Sequence, residues 1–531
     1  MFGDIEHCRF VLLEGRPGSG KTTLMNKISC DWAKGEILSS KLLVFVPLRR
    51  LNIERDNSLF TILRVSCPNQ SVSMDDIEYL VSDINQKQGE GVVFAFDGLD
   101  EYVPRFYEKK VPMEKSDQNT SKKGYKVIMV DDVFETLKGQ RLIKASIIVT
   151  SRPAACKEFR QHARKRLEVV GFLKPQIIQF VHHYFDDDKH RAQQLTTHLE
   201  QHPNLMNMAY LPLHCAMLAF LFEEDTFLPE TETEFYKYFT LSTLLRSIRK
   251  REGRITTIMS FDQLPGEDKL IFYKVCKLAF NATIESKQVF TSTDVKSVLS
   301  DIRKGDMSRL GLVVMDRYFM KFGFNETYTF LHLTFQEYLA AVHIAGLSTS
   351  QRIEVIKAHR NKQHLSVVWR FLCGIMDFNN RSTKYTFKSQ VGRLLCGTVN
   401  TGSASSIDTF ELLMERNKDK LLQLQCCYES QHSSPCSYII RACGGHIGFK
   451  DRNLSSSDCV SIGYAINKSN YQAVNLIFNN CSISSEGVEA CLKQIGDHPF
   501  SLTLTDSSIG VTGAQVIQEG LKNCANVDKL M

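Results

Sequence analysis

The stretch Phe10-Val-Leu-Leu-Glu-Gly15-Arg-Pro-Gly-Ser-Gly20-Lys-Thr-Thr23 decides the fold. Four apolar residues, Phe10 to Leu13, have the makings of a buried strand. They lead into a glycine-rich turn and then a helix-compatible run from Thr22 to Ala33. The turn satisfies the phosphate-loop pattern G-x-x-x-x-G-K-[ST], with Gly15, Gly20, Lys21 and Thr22 at its fixed positions. Gly15, Gly18 and Gly20 let backbone N–H groups close on phosphate oxygens where a Cβ would clash. The following helix points the positive end of its dipole at the same anion. Lys21 is placed to reach β- and γ-phosphates, and the Thr22 hydroxyl to ligate Mg²⁺. In that order, strand, turn and helix predict an α/β fold with a parallel sheet and a site for a nucleoside di- or triphosphate.

Working outward, 531 residues suggest three or four domains at about 150 residues each. Charged residues at 23% and hydrophobic ones at 43% exclude wholesale disorder. The net charge of +6 is mild, and no Lys/Arg stripe interleaved with aromatics points to nucleic acid. Sixteen cysteines form no C-x-x-C pair, and the densest group, Cys426, Cys427, Cys436 and Cys443, lacks zinc spacing. Buried reduced thiols in a cytosolic protein fit best. The start shows no signal sequence, and no apolar run nears the roughly 18 residues of a membrane span.

Leu42-Leu-Val-Phe-Val-Pro-Leu48 reads as a second buried parallel strand, and residues 74–88 as a helix. Val92-Val-Phe-Ala-Phe-Asp97-Gly-Leu-Asp100-Glu101 is a strand ending in carboxylates. Functional groups of an open α/β sheet gather at the carboxyl ends of its strands. Asp97 is therefore expected to hold Mg²⁺, directly or through water, opposite Thr22. Asp100 and Glu101 are candidates for orienting a hydrolytic water or supporting Asp97. Residues 104–126, polar and Lys-rich, are expected to form a surface loop before a helix at 127–138. Ala145-Ser-Ile-Ile-Val-Thr150 is the next buried strand, closing on Ser151-Arg152-Pro153, where Arg152 is placed to sense a γ-phosphate.

From about residue 172 the strand–helix alternation gives way to helices, at 175–186, 205–222 and twice within 235–282. Pro212 marks either a helix start or a kink, since an interior proline costs a helix about 3 kcal/mol. Gly311-Leu-Val-Val and Tyr328-Thr-Phe-Leu-His332-Leu-Thr-Phe-Gln-Glu-Tyr-Leu-Ala340 suggest a hairpin feeding a helix, as in a small winged-helix unit. By pattern alone His332 reads as a satisfied core histidine. Residues 351–443 read as further helix, and His182, His183 and His190 as surface. The tail repeats: Ile447-x-Phe449, Leu476-x-Phe478 and Leu502-x-Leu504 stand 29 and 26 residues apart, each followed by Leu454, Ile483 or Ile509 and then a helical stretch. Those spacings fall in the range of about 20–29 residues for leucine-rich repeats. Residues 527–530 look like the start of a fourth unit, with no capping repeat after it.

Taken together, Gly15-Arg-Pro-Gly-Ser-Gly-Lys-Thr-Thr23, Phe96-Asp-Gly-Leu-Asp-Glu101, Thr150-Ser-Arg-Pro153, Leu331-His-Leu-Thr-Phe-Gln-Glu-Tyr-Leu-Ala-Ala341 and the repeat tail resemble the NACHT-type nucleotide-binding, leucine-rich-repeat receptors. This NLR family belongs to the STAND branch of P-loop NTPases. The resemblance implies a multidomain chain: a P-loop domain over 1–170, a first helical domain over 171–232, a winged-helix domain over 233–340, a second helical domain over 341–445 and incomplete repeats over 446–531. It implies a nucleotide site made of Gly15, Arg16, Pro17, Gly18, Ser19, Gly20, Lys21, Thr22 and Thr23, with Arg152 as sensor and Pro212 packed on the nucleotide. It further implies that His332 contacts the β-phosphate of ADP, which reverses the structural reading of that residue. Mg²⁺ would sit on Thr22 and Asp97. The partners implied are ATP or ADP, a protein or microbial ligand at the repeats, and further copies of the chain on activation.

Two departures stand out. No effector domain fits before Phe10, and the segment that covers the adenine in this family is missing. We expect the chain to be part of a longer protein. Three functions follow: an ADP-held switch that opens on ATP exchange for oligomerisation and innate-immune-type signalling; a turnover ATPase, motor or remodeller; and a repeat scaffold with a vestigial nucleotide site. Gly98 stands directly after Asp97, where a fast hydrolase commonly carries its glutamate base, which favours slow hydrolysis and the switch.

Overall fold

Phe10 to Leu13 are all buried, on both faces of the strand they form. The computed structural model describes residues 8–54, 56–67, 72–104, 107–112, 125–152, 156–224, 229, 231–252, 260–298, 310–320, 323–376, 419–509, 512–522 and 527–530. Strand β1 (Phe10–Gly15) lies in a five-stranded parallel sheet with β2 (Leu42–Pro47), β3 (Val92–Asp97), β6 (Ser146–Ser151) and β7 (Lys165–Val169), in the order β2-β3-β6-β1-β7. Alternate residues point to opposite faces. Phe10 and Leu12 join Phe94, Phe96, Ile147 and Val149 on one face. Val11 and Leu13 join Val93, Ala95 and Ile148 on the other, against Met25 and Ile28 of helix α1 (Lys21–Ala33). With each side chain of this size stabilising by about 1.5–3 kcal/mol when buried, the unbroken apolar runs follow from covering both faces. Helices α2 (Leu59–Ser66) and α3 (Met74–Gln86) flank the sheet, the latter opened by a capping box between Ser73 and Asp76.

One expectation needs correction here. Instead of a loop and a helix at 127–138, β4 (Tyr107–Pro112) and β5 (Tyr125–Val130) pair as an antiparallel hairpin. The helix after it, α4 (Asp132–Leu137), is shorter and capped by Asp131. Residues 105–106, 113–124 and Pro153 lie outside the described residues. Lys109 and Lys110 interrupt the pattern of β4, and the apolar run Val127-Ile-Met-Val130 of β5 stands directly before α4, so it read as part of that helix.

Beyond the sheet come α5 (Lys174–Tyr184), α6 (Lys189–Gln201), α7 (Pro203–Ala209) and α8 (Pro212–Glu223). Pro212 starts α8, where its missing N–H removes no intrahelical bond; the kink alternative falls away. Helices α9 (Glu232–Glu252) and α10 (Gly266–Ile284) precede a three-stranded antiparallel sheet ordered β8-β10-β9, from β8 (Val289–Thr291), β9 (Val313–Met320) and β10 (Gly323–Phe330). This hairpin feeds α12 (Leu333–Gly346), after the short α11 (Ser292–Val298). Then follow α13 (Thr349–His359), α14 (Ser366–Ile375), α15 (Lys420–Ser430) and α16 (Ser433–Ala442); residues 377–418 of the expected helical stretch lie outside the described residues. One continuous core runs from Ile177 to Ile517 through all of these. The described cysteines are free thiols, most of them buried in that core. No helix among the described residues is long and apolar enough to cross a membrane.

The tail is a stack of strand–helix units. Strands β11 (His446–Lys450), β13 (Val474–Asn479), β15 (Phe500–Thr505) and β16 (Val527–Leu530) form a parallel sheet, and Ile447, Leu476 and Leu502 sit side by side in register. Short strands β12 (Asn453–Leu454) and β14 (Ser482–Ile483) pair beside it, and helices α17 (Ser456–Asn467), α18 (Ser485–Ile495) and α19 (Gly513–Lys522) return the chain. The turn after each of the first three strands holds Asp451, Asn480 or Asp506 in the left-handed region, a conformation these two residue types tolerate. Asn480 donates to Asp451 at 2.7 Å, linking one turn to the next.

Candidate functional site

The first helical N–H groups of α1 face an open turn. Its N-cap, Gly20, supplies no side-chain acceptor, and its first turn carries no acidic residue. Uncapped N–H groups and an uncompensated dipole form a ready anion site. Lys21 Nζ donates to the carbonyls of Gly15 and Arg16, both at 2.8 Å. Burial lowers its pKa, against the opposing pull of Asp100. The Ser19 hydroxyl is buried and finds no hydrogen-bond partner among the described residues. Thr22 and Thr23 are exposed on the first turn, and Pro17 is half-buried in the loop. An orphaned hydroxyl, a lysine parked on loop carbonyls and a free helix end fit a polyphosphate with Mg²⁺ on Thr22.

The start of α8 closes on this loop. Leu213 N–H donates to Gly18 carbonyl at 3.3 Å. Gly18 has φ +75°, and a Cβ there would lie 3.1 Å from Leu213 Cβ. One at Gly20 would lie 3.8 Å from Pro212 Cγ. The structure thus brings Pro212 beside the phosphate loop.

At the strand ends, Asp97 is buried and its Oδ1 accepts from Thr150 Oγ1 at 2.7 Å. Thr150 Oγ1 in turn accepts from Gly98 N–H at 2.8 Å, tying β3 to β6. Both oxygens of Asp100 are engaged by Arg152, whose Nε lies 2.9 Å from Oδ2 and whose backbone N–H donates to Oδ1 at 3.1 Å. Burial, reinforced by the neighbouring Asp100, pushes Glu101 up to about 7. The Gln288 amide, just ahead of β8, lies against both Glu101 oxygens, and with its nitrogen assigned to that side it donates to them at 2.7 and 3.2 Å.

His332 is the N-cap of α12, and its Nδ1 lies 3.2 Å from Thr334 backbone nitrogen. A backbone N–H only donates, so Nδ1 accepts and the neutral ring carries its proton on Nε2, the tautomer able to donate to a phosphate oxygen. Burial, then the charges of Arg152 and Lys21 with His214 and Arg49, push its pKa down to about 3. The His332 ring is thus satisfied locally by Thr334 and lies within reach of the charges of Arg152 and Lys21.

A pH dependence follows. Between pH 6.5 and about 3 the unfolded chain binds a proton at this imidazole that the folded chain does not, so His332 removes stability as pH falls through that window. Thermal melts of wild-type and His332→Gln protein at steps from pH 7 to pH 4 should diverge, the variant losing less. Parallel curves would contradict this assignment.

Glu337, also on α12, escaped the reading of the sequence. It is 2% exposed, and its Oε1 lies 3.6 Å from Arg152 Nη1. Its Oε2 finds no hydrogen-bond partner among the described residues. Burial raises its pKa despite Arg152 and Arg370. Arg152 is thus shared between Asp100 on its own sheet and Glu337 across the junction. The sequence held one signal, a lone carboxylate in a helix otherwise rich in buried apolar residues, since a buried charge calls for a partner. Gln288 gave none. Arg16, expected at the phosphates, directs its guanidinium toward α17, where it pairs with Asp458.

Residues 9–188 match the family model described as NACHT domain. The chain is 24% identical over 491 residues to NACHT, LRR and PYD domains-containing protein 3 of Rattus norvegicus, covering 85% of this chain and 43% of that protein. It is 24% identical over 516 residues to Protein NLRC5 of Ictalurus punctatus, covering 90% of this chain and 28% of that one. Among solved structures it is similar to a Signal Transduction ATPase with Numerous Domains (STAND) protein with a tetratricopeptide repeat sensor from Pyrococcus horikoshii, at 10% identity and a TM-score of 0.31, over 93% of this chain and 69% of that one. The chain spans less than half the length of the curated relatives it matches.

Proposed function

We propose a function from the premise that the chain belongs to the NACHT-domain NLR family of P-loop NTPases: it is a nucleotide-held switch that binds ADP when closed and opens when ATP replaces it. The carrying observation is the convergence of Lys21, Arg152 and His332, supplied by three separate segments, beside an uncapped helix start. In this reading the antiparallel sheet with α12 is a winged-helix domain, the strand–helix tail a leucine-rich-repeat array, and residues 1–170, 171–232, 233–340, 341–445 and 446–531 the domains.

The loop N–H groups and Lys21 bind the phosphates, and the Nε2–H of His332 donates to the β-phosphate, holding α12 against the loop. Mg²⁺, carried by Thr22 and Asp97, would neutralise phosphate charge. Arg152 is held by Asp100 and Glu337, so a γ-phosphate must compete with Glu337 for it. That competition favours separation of α12 from the sheet and so links ATP binding to opening. Gln288 faces both Glu101 oxygens while the chain is closed, which keeps that carboxyl from serving a hydrolytic water there. The opened chain exposes surface for self-association, and the repeats are the place for a ligand and for the signalling this family performs.

The test is release of bound ADP. Protein purified in ADP should retain it, and His332→Ala should release it roughly tenfold faster, within the range of a hydrogen bond to a charged group. Unchanged release, or wild-type turnover near 10 per second as in a typical enzyme, would sink the switch and favour the motor.

A further inference from the structure

Arg16 lies inside the phosphate loop, yet its side chain leaves the loop. Its Nη2 pairs with Asp458 Oδ2, and its Nη1 donates to Ser457 Oγ at 3.2 Å. Both partners stand in the first turn of α17, over 440 residues along the chain. Asp458 is 1% exposed. Its Oδ2 also accepts from Ser455 N–H and Oγ, both at 2.9 Å, and its Oδ1 from Gln425 at 2.6 Å. Burial alone would raise this carboxyl, but Arg16 and those donors hold it below the usual carboxylate range. Nearby, Asn453 donates to Glu168 of β7 at 3.0 Å, a second polar link between the tail and the sheet.

The backbone of the same residue continues the connection. Arg16 carbonyl is one of the two acceptors on which Lys21 Nζ rests. Asp458, the Arg16 side chain, the Arg16 carbonyl and Lys21 therefore form one unbroken chain of contacts from the tail to the phosphate-binding ammonium. Lys21 must leave that carbonyl to reach a phosphate. A buried carboxylate that loses its cation is left uncompensated, so the docked position of α17 depends on where Arg16 is.

We propose that the Arg16–Asp458 pair couples the tail to the nucleotide site: it seats α17 on the phosphate loop and slows nucleotide exchange there. Binding at the tail that lifts α17 frees Arg16 and speeds exchange, and occupancy of the loop reciprocally biases α17. This rests on the switch reading above and adds its means of regulation.

The test is a double-mutant cycle on the full chain, reading dissociation of N-methylanthraniloyl-ADP by stopped-flow chase with excess ADP. Arg16→Ala and Asp458→Asn should each speed release about tenfold, inside the range typical of coupled sites, and the double variant no further. Asp458 meets the loop through Arg16, so its effect separates coupling from direct contact with nucleotide. Single variants with wild-type rates, or effects that multiply in the double, overturn the proposal. Wild-type protein that holds no labelled ADP overturns the switch reading itself, a distinguishable result. Should Asp458→Asn not fold, hydrogen exchange of Arg16→Ala decides: faster exchange of amides 455–461 supports the pair, and unchanged protection rejects it.

Discussion

Lys21→Ala should abolish measurable ADP and ATP binding, with affinity falling at least about 100-fold. A hydrogen bond to a charged group contributes about 1.5–3 kcal/mol, and Lys21 is positioned to bridge two phosphates. The loss does not stop at the ammonium. Lys21 also holds the carbonyls of Gly15 and Arg16, so its removal loosens the turn that presents the N–H groups. Isothermal titration of wild-type and variant protein with MgADP checks this. Binding within threefold of wild type would mean that the loop is not the phosphate site.

Gly171→Val should undo the junction between the sheet and the helices that follow it. Gly171 has φ +103°, and a Cβ there would lie 2.2 Å from Tyr210 carbonyl oxygen. That oxygen accepts from Phe172 N–H at 2.8 Å, one residue on. Backbone strain of about 1–3 kcal/mol adds to overpacking of about 1–3 kcal/mol, for a loss near 3 kcal/mol. Tyr210 directly precedes Leu211 and Pro212, so the strain passes to the segment whose Leu213 bonds Gly18. Tryptic cleavage after Arg166 should quicken, and bound ADP should escape faster. Wild-type digestion and retention would show that the junction does not set the loop.

How much of this was legible in the sequence follows from what each element buries. Strands β1, β2, β3 and β6 are covered on both faces, and such strands announce themselves as apolar runs. Strand β7, Lys165-Arg-Leu-Glu-Val, lies at the sheet edge with its outer residues half-exposed, so charge and apolar character cancel. Lys21, Thr22, Asp97 and Arg152 were legible because phosphate chemistry ties them to strand ends at fixed order. Glu337, Gln288 and Asp458 reach the site from 185 or more residues away along the chain from their partners, across tertiary contacts that local pattern does not encode. The repeat spacing was readable because every unit must place the same apolar positions in register, and Ile447, Leu476 and Leu502 do so. For His332 the apolar neighbours pointed to a core role, whereas it caps α12 at a place the charges of Arg152 and Lys21 reach.

Quantifying the nucleotide that acid releases from freshly purified, full-length protein tests the switch most directly. The prediction is close to one ADP per chain in wild type, retained through gel filtration, and little in His332→Ala after the same column. Empty wild-type protein, or equal retention in both, would contradict it.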